Sequence, residues 1–483
     1  MTVARVCNRR LHASRARAAL SLIAALGALL LSTIAPAQTL PAAGTTAADT
    51  QASADDNDAS AAPNSIEQGQ TTLPESFDHR PVQALLHESR LVGLRDTTFS
   101  VQLRSMYENL QNFDTSTSLA WALGGSAGFK TGYFWDFVSL GVTSYTSQRL
   151  YAPQDESGTK LLRPEQRSYT VAGGELYGQF RLTDEIVAFV GRKGFDTPFI
   201  NTQDSLMTPN TFQVYAVQGV LGGTDSSSTL RFGAGYVDKI KQRNSEDFVS
   251  MASAAGAPAG IDRGVYVAGG NYKVGQLSLG VVDYHCPDIL NIAFTEVNYA
   301  IPLSSSLRLR LAAEYTGQHS TGGDLLTRSP FTADQYGLKA ELVIGTALLT
   351  IARTLTAVGT LTATANGESG TSLRNPWGGY PGYTSVQIEN FYRAGEDATM
   401  LRAAYNFPKW TGLSAYGLWV HGSTPEVAGQ YAQSEYDANL QWSAPPGSLK
   451  GLKLVARYGH VSQAGPRDQH QNDLRLILTY QWR

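Results

Sequence analysis

Cysteine is nearly absent from this chain of 483 residues, which contains Cys7 and Cys286 and no other. Cys7 lies within the first 37 residues, which we expect to be cleaved, so Cys286 would remain alone in the mature protein. A secreted fold stapled by internal disulfides is therefore excluded. Cys286 precedes Pro287 in a predicted short turn, and we interpret it as a loop residue without a chemical role.

Long hydrophobic runs are missing after the N-terminus. The longest, LVIGTALLTIA at 342–352, is closed by Glu341 and Arg353. A transmembrane helix needs about 20 apolar residues, so this run is too short to span a membrane as a helix. We predict two strands joined by a tight turn at Gly345-Thr346. No long 3.6-residue periodicity occurs either, which disfavours an α/β enzyme fold.

The N-terminus has the pattern of a secretory signal peptide, residues 1–37. Five arginines precede an apolar run at 18–34, and Ala35-Pro36-Ala37 provides the small-x-small cleavage pattern. The alternative is an uncleaved membrane anchor, which needs about 20 apolar residues. We therefore expect an exported protein.

The chain also has no excess of basic over acidic residues. Removing the leader takes away 5 of the 38 Lys+Arg residues, which leaves 33 against 41 Asp+Glu, a net charge of −8. Nucleic acid as a partner would require a basic patch or stripe, so it is not expected. Residues 38–76 are rich in Ala, Ser, Thr, Asp and Gln and predict a disordered periplasmic segment, with an ordered domain at 77–483.

The ordered part repeats one pattern, an alternation of apolar and polar side chains with period two. In the C-terminal segment, Leu474, Leu476 and Leu478 alternate with Arg475 and Thr479. Side chains of a strand alternate between its faces, so each such segment has one apolar face and one wet face. In a soluble sandwich the apolar face points to a core, whereas in a membrane barrel it points to lipid.

Connection lengths favour the membrane barrel. Short connections alternate with long ones; the short ones are 182–185, 273–276, 301–305 and 345–346, and the long ones are 194–211, 238–262, 317–333 and 356–383. Short turns on one rim and long loops on the other are typical of outer-membrane barrels. Nineteen candidate strands occur, but bacterial single-chain barrels have an even number. We assign 384–390 (TSVQIEN) to a long loop at 356–396, which leaves eighteen strands, with 474–483 as the closing strand.

Several motifs resemble the OprD-type family of substrate-specific outer-membrane porins. They are GFKTGYFWDF at 128–137, GFDTPFINTQDSLMTPNTF at 194–212, the segment from NPWGGYPGY to RAAYNF at 375–407, and SAPPGSLKGLKL at 443–454. The resemblance implies an all-β transmembrane antiparallel β-barrel of eighteen strands, with long external loops folded partly inward. It also implies a ladder of basic residues that guides small carboxylate-bearing solutes. One departure from the family is Leu206, where the family usually has arginine. Outer-membrane proteins in general usually end on the terminal aromatic residue, whereas here Arg483 follows it.

Arginines on the wet side of predicted strands are the candidate solute path. They are Arg104, Arg181, Arg231, Arg308, Arg310, Arg402, Arg457 and Arg475. A guanidinium is always charged and can hold a carboxylate bidentately, so a row of them provides successive anion sites. The alternative is that each merely pairs with lumen acids such as Glu108, Glu314, Glu341 and Asp437.

Two loops are expected to narrow the channel. Their candidate residues are Asp196, Asn201, Asp204 and Ser205 in the first loop, and Arg374, Trp377, Tyr380 and Tyr383 in the second. Acids that face a basic wall create a transverse field across the passage. The alternative is that these residues only fold the loops, with Asp204 capping a turn.

Catalytic and metal-binding motifs are absent. The sequence has no GxSxG, no HExxH and no convincing metal-ligand spacing, and His421-Gly422-Ser423 and His319-Ser320 offer only local adjacency. We expect no enzyme, no cofactor and no metal, but a channel for passive uptake of small polar solutes in the outer membrane of a Gram-negative cell. A general diffusion porin, an adhesin or a barrel hydrolase are the alternatives. Expected partners are solutes, outer-membrane lipid, lipopolysaccharide and the barrel-assembly machinery, with the protein a monomer or a weak trimer.

Overall fold

The computed structural model describes residues 91–222, 228–361, 371–425, 427, 429–465 and 469–482. The predicted signal peptide at 1–37, the low-complexity segment at 38–76 and Arg483 lie outside these ranges. Among the described residues, no helix is both long and apolar enough to cross a membrane.

Strands make up most of the described chain. Eighteen long strands and two of two residues each occur in the described ranges: β1 Thr98–Gln111, β2 Thr117–Lys130, β3 Val138–Tyr151, β4 Tyr169–Arg181, β5 Ile186–Lys193, β6 Thr211–Leu221, β7 Ser228–Lys241, β8 Val249–Ser250, β9 Val265–Val274, β10 Leu277–Cys286, β11 Leu290–Pro302, β12 Leu307–His319, β13 Phe331–Ile344, β14 Ala347–Thr356, β15 Thr360–Leu361, β16 Asp397–Asn406, β17 Leu413–Ser423, β18 Gln433–Ser443, β19 Leu452–Gln463 and β20 Gln469–Trp482. A short helix α1 spans Met251–Ala254, and single 3₁₀ turns lie at Gln154–Glu156 and Pro164–Gln166.

The long strands close into one antiparallel barrel. Each pairs with the next long strand in sequence, with β7 pairing β9 past β8 and β14 pairing β16 past β15. The last strand, β20, returns to β1 in a register that runs from Val101↔Trp482 to Gln111↔Asn472. Closure leaves no row of backbone N–H and C=O groups facing hydrocarbon, where each would cost several kcal/mol. The predicted eighteen-stranded barrel and its closing strand are confirmed.

The period-two alternation decides which side chains face lipid. On β20, Leu474, Leu476 and Leu478 are 37%, 47% and 41% exposed, whereas Asp473 and Arg475 are 1% and 3% exposed. The leucines therefore point outward and the charged side chains point into the barrel. The apolar face of the C-terminal strand is the membrane face, as a barrel with a polar interior requires.

The short turns lie together on one rim. They are 182–185, 275–276, 303–306, 345–346, 407–412 and 444–451. At 345–346, Gly345 has a φ of 58°, in the left-handed region that glycine adopts without strain. The predicted tight turn within 342–352 is thus confirmed.

The opposite rim carries the long connections, at 152–168, 194–210, 242–264, 320–330 and 357–396. Residues 384–390 belong to the last of these and form no strand. Some connections on this rim are nevertheless short, such as 112–116 and 287–289, so the predicted alternation of lengths does not hold at every position.

Cys286 is not a loop residue, contrary to the sequence interpretation. It is the last residue of β10, faces the interior and is fully buried in the main hydrophobic cluster. A small apolar side chain is tolerated there because the inward loops cover this part of the wall.

A hydrophobic core lies inside the barrel, where two loops meet the wall. Phe199 of the 194–210 loop packs edge-on against Tyr380, at 5.8 Å between ring centroids. Tyr380 belongs to residues 371–396 of the last long connection, named the 371–396 loop from here on. Phe199 also contacts Tyr284 of β10 at 5.9 Å and Phe294 of β11 at 6.2 Å. Aromatic rings prefer such edge-to-face arrangements. The inward loops are therefore packed against the wall.

Candidate functional site

The 194–210 loop is held across the barrel by an ion pair. The Arg104 guanidinium on β1 donates from Nη1 and Nη2 to the two carboxylate oxygens of Asp204, each at 2.6 Å. Arg104 also donates to the carbonyl oxygen of Leu206. Bidentate guanidinium–carboxylate pairs combine strength with a defined geometry. This contact sets the position of the loop relative to β1.

Two further cations hold the same loop from β7 and the residues after it. The Lys241 ammonium donates to Thr208 Oγ1 at 3.2 Å, and Arg243 donates to Ser205 Oγ. Both cationic residues are buried, with Lys241 0% and Arg243 8% exposed. Sequence reasoning missed them because it placed the whole of 238–262 in a loop, whereas β7 continues to Lys241.

Leu206, the departure from the family pattern, lies in a second hydrophobic cluster. Leu206 is 2% exposed and packs with Met207, Met106 of β1 and Leu161 and Leu162 of the 152–168 loop. The apolar side chain therefore joins two loops and the wall. This packing explains how the position accommodates leucine.

Asn201 joins the two inward loops. Its Nδ2 donates to the carbonyl oxygen of Gly379 at 2.9 Å, and its Oδ1 accepts from the Gly379 N–H at 2.6 Å. The Trp377 indole Nε1 donates to the carbonyl oxygen of Met251 in α1 at 2.9 Å, which adds a third segment. The side chains of Asn201, Trp377 and Met251 are all buried, so these hydrogen bonds are shielded from water.

Lumen acids hold the 371–396 loop by its backbone. The Tyr383 N–H donates to Glu314 Oε1 at 2.9 Å. Glu435 on β18 accepts from the N–H groups of Ile388 at 2.7 Å and Glu389 at 2.8 Å. The next inward acid of β18, Asp437, accepts from the Gln387 N–H at 3.0 Å. Glu314 and Asp437 thus bind loop backbone, a role that the sequence did not predict.

Within this loop, Glu389 is a half-buried acid. Burial raises its pKa from 4.5 to about 7, although the charge of Arg393 opposes the change, and Glu396 adds to it. Glu396 itself accepts from the Arg393 guanidinium at 2.5 Å. The loop therefore carries a carboxylic acid whose protonation changes near neutral pH.

Three predicted ladder arginines lie on the neighbouring strands β19, β20 and β1 and are named the arginine patch. Arg457 and Arg475 are direct cross-strand neighbours. Arg475 lies 3.4 Å from Glu108 and 2.7 Å from Asp473, and Arg457 Nε donates to Asn439 at 3.1 Å. Of the three, Arg104 is the one whose contacts above join the wall to the 194–210 loop.

The other five arginines are distributed over separate walls. Arg402 on β16 stacks over the Tyr416 ring at 4.0 Å, and Arg310 on β12 lies 3.5 Å from Glu341. Arg181 lies at the short-turn rim, 3.3 Å from Asp136. Arg231 and Arg308 occupy inward positions on β7 and β12. The structure therefore does not bring all eight arginines into one row.

The remaining predicted loop residues have mainly structural contacts. Asp196 caps a turn by accepting from the Thr202 N–H at 2.9 Å and its hydroxyl at 2.6 Å. The backbone of Arg374 exchanges two hydrogen bonds with the Gln318 side chain, at 2.8 and 2.7 Å. Tyr380 and Tyr383 are 1% and 0% exposed, so they pack within the loop core and do not line an open passage.

The histidine–serine pairs do not form a catalytic arrangement. His421 Nδ1 lies 2.8 Å from Ser434 Oγ across β17 and β18, on the outward face. Ser320 accepts from the Phe331 N–H. In the described part of the chain, no group of three or more His, Cys, Asp or Glu side chains could hold a metal ion.

A closed antiparallel barrel with an apolar exterior, a charged interior and inward-folded loops defines an outer-membrane channel protein. The family model described as outer membrane porin, OprD family, matches residues 94–483. The chain therefore belongs to the OprD family of outer-membrane porins.

Solved porins share this fold. OccAB3 of Acinetobacter baumannii aligns with a TM-score of 0.69 and 19% identity over 80% of this chain and 100% of that one. OccK8 (OprE) of Pseudomonas aeruginosa gives 0.66 and 21% over 81% and 99%. OpdK of Pseudomonas aeruginosa, solved with vanillate, gives 0.64 and 19% over 81% and 99%. A search of curated proteins found no significant match.

Proposed function

We propose that this porin conducts small solutes that carry a carboxylate. The observation that carries the proposal is an excess of basic over acidic side chains on the inward wall that holds the 194–210 loop. The set linked by the contacts above contains five cations and three acids; the cations are Arg104, Lys241, Arg243, Arg457 and Arg475, and the acids are Glu108, Asp204 and Asp473. Basic side chains outnumber acidic ones by two in this set, which includes the wall residues that hold the 194–210 loop.

The physical effect of this excess is attraction of anions to the narrow section. A cleft that is lined by charges of one sign and has low-dielectric walls concentrates ions of the opposite sign and raises their rate of entry. Guanidinium groups recognise carboxylates in a planar, two-point geometry. Because Glu108, Asp204 and Asp473 partly neutralise the cations, each site should bind an anion weakly enough to release it.

Other observations support carboxylates as the solute class. Arg231 and Arg310 occupy inward positions on β7 and β12, away from the patch on β1, β19 and β20. They extend the basic surface to other walls of the barrel. The OpdK structure contains vanillate, which is itself a carboxylate.

The proposal is tested by ion current through purified protein in planar bilayers. Sodium salts of small carboxylates should block the current, and Arg457→Gln should weaken that block by about fivefold, the effect of about 1 kcal/mol. Arg353→Gln is the matched control, because Arg353 pairs with Asp397 on the outward face at 2.6 Å. Heat-modifiable migration on gels verifies that each variant is a folded barrel.

A large conductance that no carboxylate changes would contradict the proposal. That result would favour a general diffusion porin, in which the charged patch only holds the loops. Equal block in wild type and Arg457→Gln would show that the patch on β1, β19 and β20 does not contact the solute.

A further inference from the structure

Histidine is unevenly distributed over the barrel. In the part of the chain that the structure describes, all five histidines lie on the outward face and within three residues of the long-loop end of their strands: His285, His319, His421, His460 and His470. Long loops are external in outer-membrane barrels. These imidazoles therefore lie at the external edge of the lipid-facing surface.

Three of these histidines belong to one polar patch on the neighbouring strands β17 to β20. One row of outward side chains across these strands consists of His421, Ser434, Ser462 and His470. The next row toward the hydrocarbon includes His460 and Asn472, which are opposite each other on β19 and β20. We name these six residues the histidine patch.

Hydrogen bonds fix one imidazole of the histidine patch. His460 Nδ1 donates to Asn472 Oδ1 at 2.8 Å, because an amide oxygen only accepts, and Tyr458 Oη donates to the same oxygen at 2.7 Å. Asn472 Nδ2 donates in turn to Gln111 Oε1 of β1 at 2.9 Å. Since Nδ1 of His460 is used, its Nε2 is the atom that takes up a further proton and then donates to an anion.

Ring stacking brings the imidazoles together. The rings of His460 and His470 stack at 5.5 Å between centroids with 20° between their planes. His421 stacks on Trp419 of the same strand at 6.1 Å and 14°. All three imidazoles are at least partly exposed. Two neighbouring rings can therefore donate to one bound group.

The surroundings of the histidine patch favour an anion. The outward positions of β17 to β20, all of which the structure describes, contain no Asp or Glu. On one side, Asp397 of β16 pairs with Arg353 of β14 at 2.6 Å. On the other side, the outward positions of β1 contain no acid either, and Asp114 lies in the turn beyond it. The other titratable groups at this level of the four strands are Tyr436 and Tyr458.

The level of the histidine patch is that of lipid headgroups. Tyr436 and Tyr458 lie beside and below it and are 51% and 44% exposed. Tyrosine and tryptophan are enriched where hydrocarbon meets water. Further along β20, Leu474, Leu476 and Leu478 face the hydrocarbon. Hydrogen-bond donors just outside such a belt meet the polar groups of the outer-leaflet lipid.

We propose that the histidine patch binds a phosphate group of lipopolysaccharide, the lipid of the outer leaflet. The imidazolium rings of His460 and His470 donate to phosphate oxygens, and the hydroxyl of Ser462, between their strands, adds a donor. Histidine ordinarily gains its charge between about pH 5 and 8, so binding strengthens as pH falls through this range. The site lies on the outer surface and does not depend on which solute the channel conducts.

The test measures binding of lipid A, the phosphorylated anchor of lipopolysaccharide, to the full barrel in detergent by surface plasmon resonance. The double variant His460→Gln with His470→Gln should lower the affinity about tenfold, the effect of two partly exposed charge-assisted hydrogen bonds. The wild-type affinity should rise from about pH 8 to about pH 6, and the double variant should lose most of that rise. His285→Gln is the matched control, because Asn291 joins His285 to Asp283, whose carboxylate disfavours a phosphate.

Two further ligands separate the possible sources of binding. Lipid A stripped of phosphate should bind about tenfold more weakly than lipid A, and inorganic phosphate at equal concentration should not displace lipid A. Equal binding of the two lipids would refute recognition of phosphate, and displacement by inorganic phosphate would refute the assignment to lipid. If the double variant, shown to be folded by heat-modifiable migration, binds lipid A as the wild type does, the histidine patch is not the site.

Discussion

Replacing Asp204 with asparagine perturbs the contact that holds the 194–210 loop against β1. The variant Asp204→Asn keeps the size of the side chain but removes its charge. The Arg104 side chain is 6% exposed and that of Asp204 18% exposed, so the pair is largely shielded from water. After the change, Arg104 retains one amide oxygen and the Leu206 carbonyl as acceptors. The buried guanidinium then loses the negative charge of Asp204 and one of the two bonds of the bidentate pair.

The magnitude follows from the two bonds of 2.6 Å that join the pair. Removing one partner of a buried ion pair costs about 3–5 kcal/mol. Because the asparagine oxygen still accepts one bond, we expect about 2–3 kcal/mol of lost loop docking. This corresponds to a decrease of about 30- to 150-fold in the ratio of docked to undocked loop.

Single-channel recording and limited proteolysis measure this change. Asp204→Asn should increase current fluctuations and make the 194–210 loop easier to cleave. Asp196→Asn is the matched control, because Asp196 belongs to the same loop but caps a local turn on Thr202. If Asp204→Asn and Asp196→Asn both behave as wild type, the ion pair does not position the loop.

Three other changes probe the loops and the wall. Burial raises the pKa of Glu389 from 4.5 to about 7, so docking of the 371–396 loop should be strongest below pH 4.5 and weaken as pH rises through about 7. The rate at which a protease cleaves this loop, measured across this pH range, should show the change. Glu389→Gln should remove the pH dependence. Leu206→Arg places a charge in a packed hydrophobic cluster beside Arg104 and should lower the thermal unfolding temperature. Leu206→Met should have little effect. An unchanged unfolding temperature for Leu206→Arg would contradict the packing of Leu206 in this cluster. Leu476→Arg puts a cation on the lipid face and should cost about 2–4 kcal/mol, measured by urea unfolding in lipid vesicles. Leu476→Met, which stays apolar, is the control. Equal stability of the two variants would contradict the outward assignment of Leu476.

The barrel could be predicted from sequence because lipid and lumen impose opposite polarities on successive residues. Leu474 to Trp482 and the segment at 342–352 show how a local pattern indicates both a strand and its faces. Because bacterial single-chain barrels have an even number of strands, residues 384–390 could then be assigned to a loop and not to a strand. Side-chain alternation also placed Arg104, Arg457 and Arg475 correctly on inward faces.

The organisation of the interior could not be predicted in the same way. Arg104 and Asp204 are 100 residues apart in sequence, and Asn201 and Gly379 are 178 apart. The sequence shows that Glu435 is an acid on a strand, but not that it binds the backbone of Ile388 and Glu389.

The sequence alone therefore determined the strands, their order and the polarity of their faces, since these depend on neighbours along the chain and on the solvent that each face meets. Tertiary structure decided which charges are paired and which acids hold loops. These outcomes depend on where the long loops enter the barrel. Their position is set by contacts between distant residues, such as Arg104 with Asp204, that no local pattern contains.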